Sequence, residues 1–334
     1  MEVNELSVRV ADSSAVGEAR RLACTMAQGL GLSETAVGRV ALVVTELGTN
    51  LVKHAAGGEL LVSVAPHGEP AGIRVVALDK GPGIADLSGA LRDGFSTSGT
   101  PGGGLGAISR LASVFDLYSR ADSGTALFAQ IGESLEPPTT TGLAIGVVMV
   151  PHPGETVCGD GWAHSQHNGR KSILVVDGLG HGIQASDAAR LAEATFRKHT
   201  TLGPAEMVTR LHEALRPTRG AAVGVAELDA GRGLLRFAGL GNIAGTILSE
   251  GATRSVVSHH GTAGHDARRI QDFTYPWPRD ALLVLHSDGL ISHWSLAKYP
   301  GLSARHPMLA AAVLYRDFRR GRDDATVVVA REQI

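Results

Sequence analysis

Residues 173–182 read ILVVDGLGHG. Four aliphatic residues lead into Asp177 and then into a loop with three glycines. A short apolar run bounded by turn residues reads as a strand, and Asp177 closes it. The arrangement recurs. Asp160 lies in Cys158-Gly159-Asp160-Gly161, Asp288 in LLVLHSDGL, and Asp323 with Asp324 in GRDDATVVV. A carboxylate beside a β core loses hydration, which is costly unless compensated. No matching set of basic residues accompanies all four segments, although Arg322 could pair with one. Hard divalent cations would compensate the group together. One Asp-Gly pair alone is an ordinary turn; four such segments are poorly explained that way.

Working outward, further strands are expected at 143–150, 172–176, 221–228, 234–238, 245–248, 281–286 and 325–330. Two helices fit between residues 182 and 215, and another near 307–319. The Asp229-Ala230-Gly231 turn supports antiparallel pairing. A β-sandwich flanked by helices suits this order. Upstream, GESLEPPTTTG at 132–142 lacks apolar periodicity and reads as a linker. The chain of 334 residues is then two domains, 1–132 and 142–334, joined by 133–141.

Composition narrows the class. Hydrophobic residues make up 43%, enough for a core in each domain, while aromatics are only 4%. The net charge of -2, with no basic stripe, argues against nucleic acid. Two cysteines, Cys24 and Cys158, one in each half, suggest reduced thiols. The N-terminus lacks the features of a signal peptide. The longest unbroken apolar runs fall far short of the roughly 20 residues of a membrane span. A cytoplasmic protein without membrane association is expected.

In the first half, residues 6–10 alternate like a strand. Ser13 is a candidate cap for a helix to about residue 30. Ser33 is a second cap, with Glu34 in the first turn. Apolar residues then recur at helical spacing: Ala36, Val40, Val43, Leu47 and Leu51. Two strands follow, joined by a Pro/Gly turn. A helix at 105–112 and strands at 114–119 and 125–131 complete the domain, with Asp122-Ser123-Gly124 turning between the last two. An α/β sandwich with a mixed sheet is expected, so the chain as a whole is α+β.

Three clusters stand out there. Glu46 and Asn50 share a helix face. An Asn oxygen suits Mg²⁺, and a carboxylate can orient or deprotonate a nucleophile. Asp79-Lys80-Gly81-Pro82-Gly83 follows a strand, where an aspartate can accept from an adenine amino group. Gly102-Gly103-Gly104-Leu105-Gly106 opens a helix, whose first N–H groups favour phosphate. Singly, each also fits a helix edge, a turn or a loop.

In order and spacing, the three resemble the GHKL (Bergerat-fold) ATPases over residues 5–131, and Gly124-Thr125 matches the strand closing the family's nucleotide pocket. The stretch ELGTNLVKHA is similar to bacterial anti-sigma-factor serine kinases of the stressosome switch type. The resemblance implies ATP and Mg²⁺ as cofactors. It assigns Mg²⁺ to Asn50, adenine to Asp79 and catalytic base to Glu46. Gly81 and Gly83 would shape the base pocket. Gly102, Gly104 and Gly106 would form the phosphate lid, and Thr125 would border the nucleotide. The implied reaction is γ-phosphoryl transfer to Ser or Thr of a partner protein.

DGLGHG, SDGL and DDATVVV resemble the metal-dependent serine/threonine phosphatases (PPM family), in their SpoIIE-like branch, over residues 142–330. The short domain is similar to the stressosome feedback phosphatase. The resemblance implies two Mn²⁺ or Mg²⁺ ions on Asp160, Asp177, Asp288 and Asp323, with the Gly178 carbonyl as a further ligand. A bridging hydroxide would attack phosphorus in line. Asp324 would serve a further metal or only a hydrogen bond. His181 is a proton donor or structural, because relatives carry the analogous His directly after Asp-Gly. His259, His260 and His265 raise a zinc site, which no paired cysteines support.

Together these imply a bifunctional kinase and phosphatase acting on STAS-domain partners in a partner-switching pathway. Those partners would be anti-sigma antagonists or stressosome-type proteins, with a sigma factor or downstream phosphatase as further candidates. Family resemblance leaves room for a dimer. Two other readings stay open: a phosphatase with a non-catalytic ATP-sensing module, and an anti-sigma protein that only sequesters its target.

Overall fold

A computed structural model describes residues 5–91, 104–137, 142–167, 169–250 and 252–333. The chain divides into two compact units, Met1–Thr140 with Ala304–Val313, and Thr141–Ser303 with Leu314–Ile334.

The first unit contains β1 (Leu6–Val10), α1 (Ser13–Gly29), α2 (Glu34–Ala55), β2 (Gly58–Val64), β3 (Gly72–Leu78), α3 (Leu87–Ala90), α4 (Leu105–Leu111), β4 (Val114–Ser119) and β5 (Thr125–Gly132). The cap of α1 is Asp12 rather than Ser13. Its Oδ1 accepts the Ser14 and Ala15 amides at 2.8 and 3.0 Å, a stronger charge-assisted cap than a hydroxyl gives. Ser33 does cap α2, accepting from the Ala36 amide. That helix ends where Ala56 turns left-handed, φ 56°, and the Gly57 amide reaches back to the Leu51 carbonyl.

The sheet order is β1-β2-β3-β5-β4. Every described pairing in it is antiparallel, which corrects the mixed sheet expected. The reason is topological. β5 lies between β3 and β4 and opposes both, and the α1–α2 pair returns the chain to β2 without the crossover a parallel pair needs. Val40, Val43, Val44, Leu47 and Leu51 of α2 pack into one core with α1 and with Leu60, Val62, Val75, Ala77 and Leu127 of the sheet.

α2 spans 22 residues and contains an 18-residue window of mean hydropathy 1.2, long and apolar enough by composition to cross a membrane. Glu34, Arg39, Glu46 and Lys53 interrupt it, so it holds no long unbroken apolar run. Its buried stripe marks it as a core helix.

The second unit contains β6 (Leu143–Val150), β7 (Asp160–His167), β8 (Arg170–Gly178), α5 (Ile183–Lys198), α6 (Pro204–Ala214), β9 (Ala221–Asp229), β10 (Leu234–Leu240), β11 (Ala244–Ser249), β12 (Ala252–Ser255), β13 (Phe273–Pro276), β14 (Leu282–His286) and β15 (Ala325–Glu332). In sequence α7 (Pro307–Phe318) precedes the last strand, and its residues up to Val313 group with the first unit. Two five-stranded sheets run β13-β10-β9-β8-β7 and β12-β11-β14-β15-β6. The apolar run in β8 is continuous because both its faces are covered. Ile173 and Val175 join the core that also holds Leu283, Leu285, Val328 and Ala330 of the other sheet. Leu174 and Val176 lie under Ala188, Ala192 and Phe196 of α5 and Met207 and Leu211 of α6.

The α+β class with a helix-flanked β-sandwich is therefore observed. Leu47 is 1% exposed at the centre of the first core. Leu47→Ala should lower unfolding free energy by about 2–5 kcal/mol, measured as a lower urea midpoint at unchanged slope.

Candidate functional site

In the first unit, Asp79 follows β3 directly. Its Oδ1 accepts the Gly81 amide at 2.8 Å and the Thr125 amide at 3.1 Å, and its own amide donates to the Thr125 carbonyl at 3.0 Å. The carboxylate thus clasps its own turn to the first residue of β5. Gly124 is required there: at φ +79° a Cβ would sit 2.1 Å from the Asp79 carbonyl oxygen. Thr125 Oγ1 lies 2.8 Å from Ser119 Oγ, which in turn accepts the Ile84 amide. Gly83 lies in this turn, and a Cβ on Gly81 would touch Ala55 at 2.9 Å, so the last turn of α2 abuts the Asp79 loop. Glu46 and Asn50 lie further up the same helix, both half-buried. Gly104 caps α4 with extended backbone, and Gly106 is buried within that helix. Gly102 lies outside the described residues. The structure therefore joins Asp79, Gly81 and Thr125 by direct hydrogen bonds, with α2 alongside.

In the second unit, Asp160 and Asp177 are directly opposed across the antiparallel β7–β8 pair. Such residues share a face, with Cβ atoms about 5 Å apart. Asp177 shares its strand face with Ile173 and Val175, so it ends the row that fills the sandwich core. Asp160 is 4% exposed and accepts from Ser287 Oγ at 2.7 Å. The same hydroxyl oxygen accepts the Thr326 amide. Asp288 follows β14 and accepts from Asn242 Nδ2 at 2.9 Å. Gly289 brings it close to the Asp323–Asp324 turn, since a Cβ there would lie 2.0 Å from the Asp324 carbonyl oxygen. The Gly178 amide donates to the Gly159 carbonyl, tying the Asp177 and Asp160 segments together. Asp324 is buried. Its Oδ1 accepts the His152 amide at 2.8 Å, while Oδ2 has no hydrogen-bond partner, although this carboxylate also acts on the Cys158 thiol.

These carboxylates act on one another. Burial first, then the Asp288, Asp323 and Asp324 charges, push Asp177 up to about 7. Burial and Asp177 push Asp160 well above the carboxylate range, and burial and Asp288 raise Asp323. Five carboxylates in mutual range, one with an unpartnered buried oxygen, form an all-oxygen donor set of the kind hard cations take. Among the described residues no three His, Cys, Asp or Glu side chains already converge as a ligand set; oxygens of Asp160, Asp288 and Asp324 are directed to Ser287, Asn242 and the His152 amide.

Ser287, Asn242 and His152 are absent from the sequence-based site. Ser287 directly precedes Asp288, a signal that adjacency offered. Asn242 and His152 come from distant loops and gave none. His286, buried, accepts from the Trp294 indole N–H at Nε2 and holds the Ser287 carbonyl at Nδ1; burial pushes its imidazole below its usual value. His181 pairs with Glu155 at 2.8 Å and stacks on His152 at 4.4 Å between centroids. His259 packs against Phe273, and His265 reaches the Thr218 carbonyl.

The model for stage II sporulation protein E (SpoIIE) matches residues 167–333, half of the chain. The chain belongs to the SpoIIE family. Asp177, Gly178, Asp288 and Asp323 fall inside the matched span, and Asp160 lies seven residues before it. A histidine kinase-like ATPase domain model matches residues 10–131. Over 123 residues this SpoIIE-family chain is 36% identical to the serine/threonine-protein kinase RsbT of Bacillus subtilis (strain 168), covering 36% of the chain and 92% of RsbT. A solved structure described as "The bacterial stressosome: a modular system that has been adapted to control secondary messenger signaling" is 28% identical, with a TM-score of 0.53, over 57% of this chain and 99% of that one. RsbX in complex with magnesium, 17% identical, shares the fold at a TM-score of 0.52 over 58% of this chain and 97% of its own. This SpoIIE-family chain thus combines a kinase-like ATPase domain with a PPM-type serine/threonine phosphatase domain.

The raised carboxylates set a pH dependence. With Asp177 held near 7 in the folded state and 3.8 as its ordinary value, the folded chain keeps a proton that the unfolded chain releases across that window. Stability of the metal-free protein should therefore fall as pH rises from about 4 to 7. In chelator, Tm should drop over this range by differential scanning fluorimetry, and Asp177→Asn should flatten the drop.

Proposed function

We propose that the chain adds and removes a phosphoryl group on Ser or Thr of STAS-domain proteins in a bacterial partner-switching pathway. The observation that carries the removing activity is the facing Asp160–Asp177 pair, with Asp288, Asp323 and Asp324 in range of it. Asp160, Asp177, Asp288 and Asp323, with the Gly178 carbonyl, would hold two Mn²⁺ or Mg²⁺ ions. Bound there, the cations supply a hydroxide nucleophile and neutralise the transferring oxyanions. The chain's own groups orient the carboxylates: Ser287 fixes Asp160, Asn242 fixes Asp288, and the His152 amide fixes Asp324.

A protein substrate suits the surroundings. Leu179 and Ile183, beside the Asp177 loop, and Ile291, beside Asp288, are 54%, 68% and 40% exposed. Exposed apolar side chains around a charged site favour a protein partner over a small phosphate ester. For the adding activity, Asp79 would receive adenine, Asn50 Mg²⁺, and Glu46 the proton of the attacking hydroxyl. The likeness to RsbT, a serine/threonine-protein kinase, supports that assignment.

Asp177→Asn should reduce Mn²⁺-dependent release of phosphate from a phosphorylated STAS protein by at least about 100-fold, leaving ATP binding unchanged, as read by phosphate release and nucleotide titration. Glu46→Ala should preserve ATP affinity within about threefold while removing ³²P transfer to the unphosphorylated STAS protein. Retained signalling without transfer would instead identify the ATP unit as a sensor.

A further inference from the structure

The phosphatase reading leaves the basic side chain of Arg219 unused. Gly180 is the third residue after Asp177, and its backbone is left-handed at φ +89°. A Cβ placed on it would lie 3.3 Å from Nη1 of Arg219, so the guanidinium lies against the loop that leaves Asp177. The backbone supports this approach: the Leu179 amide donates to the Gly220 carbonyl at 3.0 Å, and Gly178 pairs with Ala221 across β8–β9.

The turn carrying Arg219 is braced on both sides. Thr218 Oγ1 donates to the Leu215 carbonyl at 2.7 Å and accepts the Gly220 amide at 3.0 Å. The His265 ring lies 3.2 Å from the Thr218 carbonyl. Ala221 exchanges both backbone hydrogen bonds with Ala263. Gly220, at φ +81°, could not carry a side chain, since a Cβ would sit 2.7 Å from the Ala263 carbonyl oxygen. At the tip of this rigid turn the Arg219 side chain is exposed, and among the described residues it makes no hydrogen bond or ion pair. A guanidinium lying against the loop that leaves Asp177, with no carboxylate engaged among the described residues, keeps its planar donor fork for an incoming group. That fork matches two oxygens of a phosphoryl group.

We propose that Arg219 is the phosphoryl clamp of the phosphatase site, binding two non-bridging oxygens of the substrate phosphomonoester beside the Asp177 loop. This rests on the phosphatase reading above. It assigns Arg219 to substrate binding, while cation binding stays with the carboxylates.

The test uses the full chain supplied with Mg²⁺ and titrated calorimetrically with inorganic phosphate. Wild type should bind. Arg219→Ala should bind at least about tenfold more weakly, and Arg219→Lys should fall between, because an ammonium lacks the fork. Arg216→Ala, an exposed arginine of the same connection, should match wild type. With a phosphorylated STAS protein and Mn²⁺, Arg219→Ala should raise KM about tenfold with a smaller change in kcat and unchanged Mn²⁺ requirement. Equal phosphate affinity in wild type and Arg219→Ala overturns the clamp, as does an equal loss in Arg216→Ala, or no phosphate binding by wild type. Phosphate binding through Arg219 with no turnover of any phosphoprotein by wild type would sink the phosphatase reading and leave the clamp standing. Turnover by wild type that Arg219→Ala leaves untouched would sink the clamp alone.

Discussion

Two aspartates face each other across one antiparallel register, and the architecture of the second unit converges on accommodating them. Like charges directly opposed on a sheet repel, and burial removes the water that would otherwise screen Asp160 and Asp177. The surrounding loops respond. Ser287 donates to one carboxylate, and Asn242 holds the neighbouring Asp288. Gly178 and Gly289 let backbones approach closely enough to draw four segments, far apart in sequence, into one place. The sandwich supplies the rigid ends on which this depends: β8 and β14 end in packed aliphatic rows just before Asp177 and Asp288, while Asp160 opens β7 and Asp323–Asp324 lead into the apolar start of β15.

The first unit uses a strand-end carboxylate in a different balance. Asp79 is satisfied by two backbone amides through a single oxygen, so it stabilises its turn rather than straining it. Charge is thus spent locally in one unit and left concentrated in the other. The roles proposed for them differ in the same way: recognition of an amino group on a base, and compensation by cations.

Much of this was legible in the sequence because it rests on local rules. Ser33 announces α2, and the Val40, Val43, Leu47 and Leu51 spacing gives its buried face. The strands at 114–119 and 143–150 fall where alternation and apolar runs place them. β7 escaped because its sequence, DGWAHSQH, is polar and its outer end is exposed; only pairing with β8 makes it a strand. β12 and β13 are four-residue edge strands, too short for a period. Sheet direction was misjudged because hairpin signals do not report where β5 inserts. The aspartates themselves were readable, being strand-end residues followed by glycine or a second acid. Their hydrogen-bond donors were not. Asn242 and His152 acquire meaning only through contacts across 46 and 172 residues of sequence.

Trp294 gives this chemistry an outward sign. Its indole N–H donates to His286, the same imidazole holds the Ser287 carbonyl, and the Ser287 hydroxyl donates to Asp160. Asp160 is thus linked to a fluorophore through three hydrogen bonds and the covalent frame of Ser287. Of the chain's three tryptophans, this one is joined to the acidic centre through His286 and Ser287.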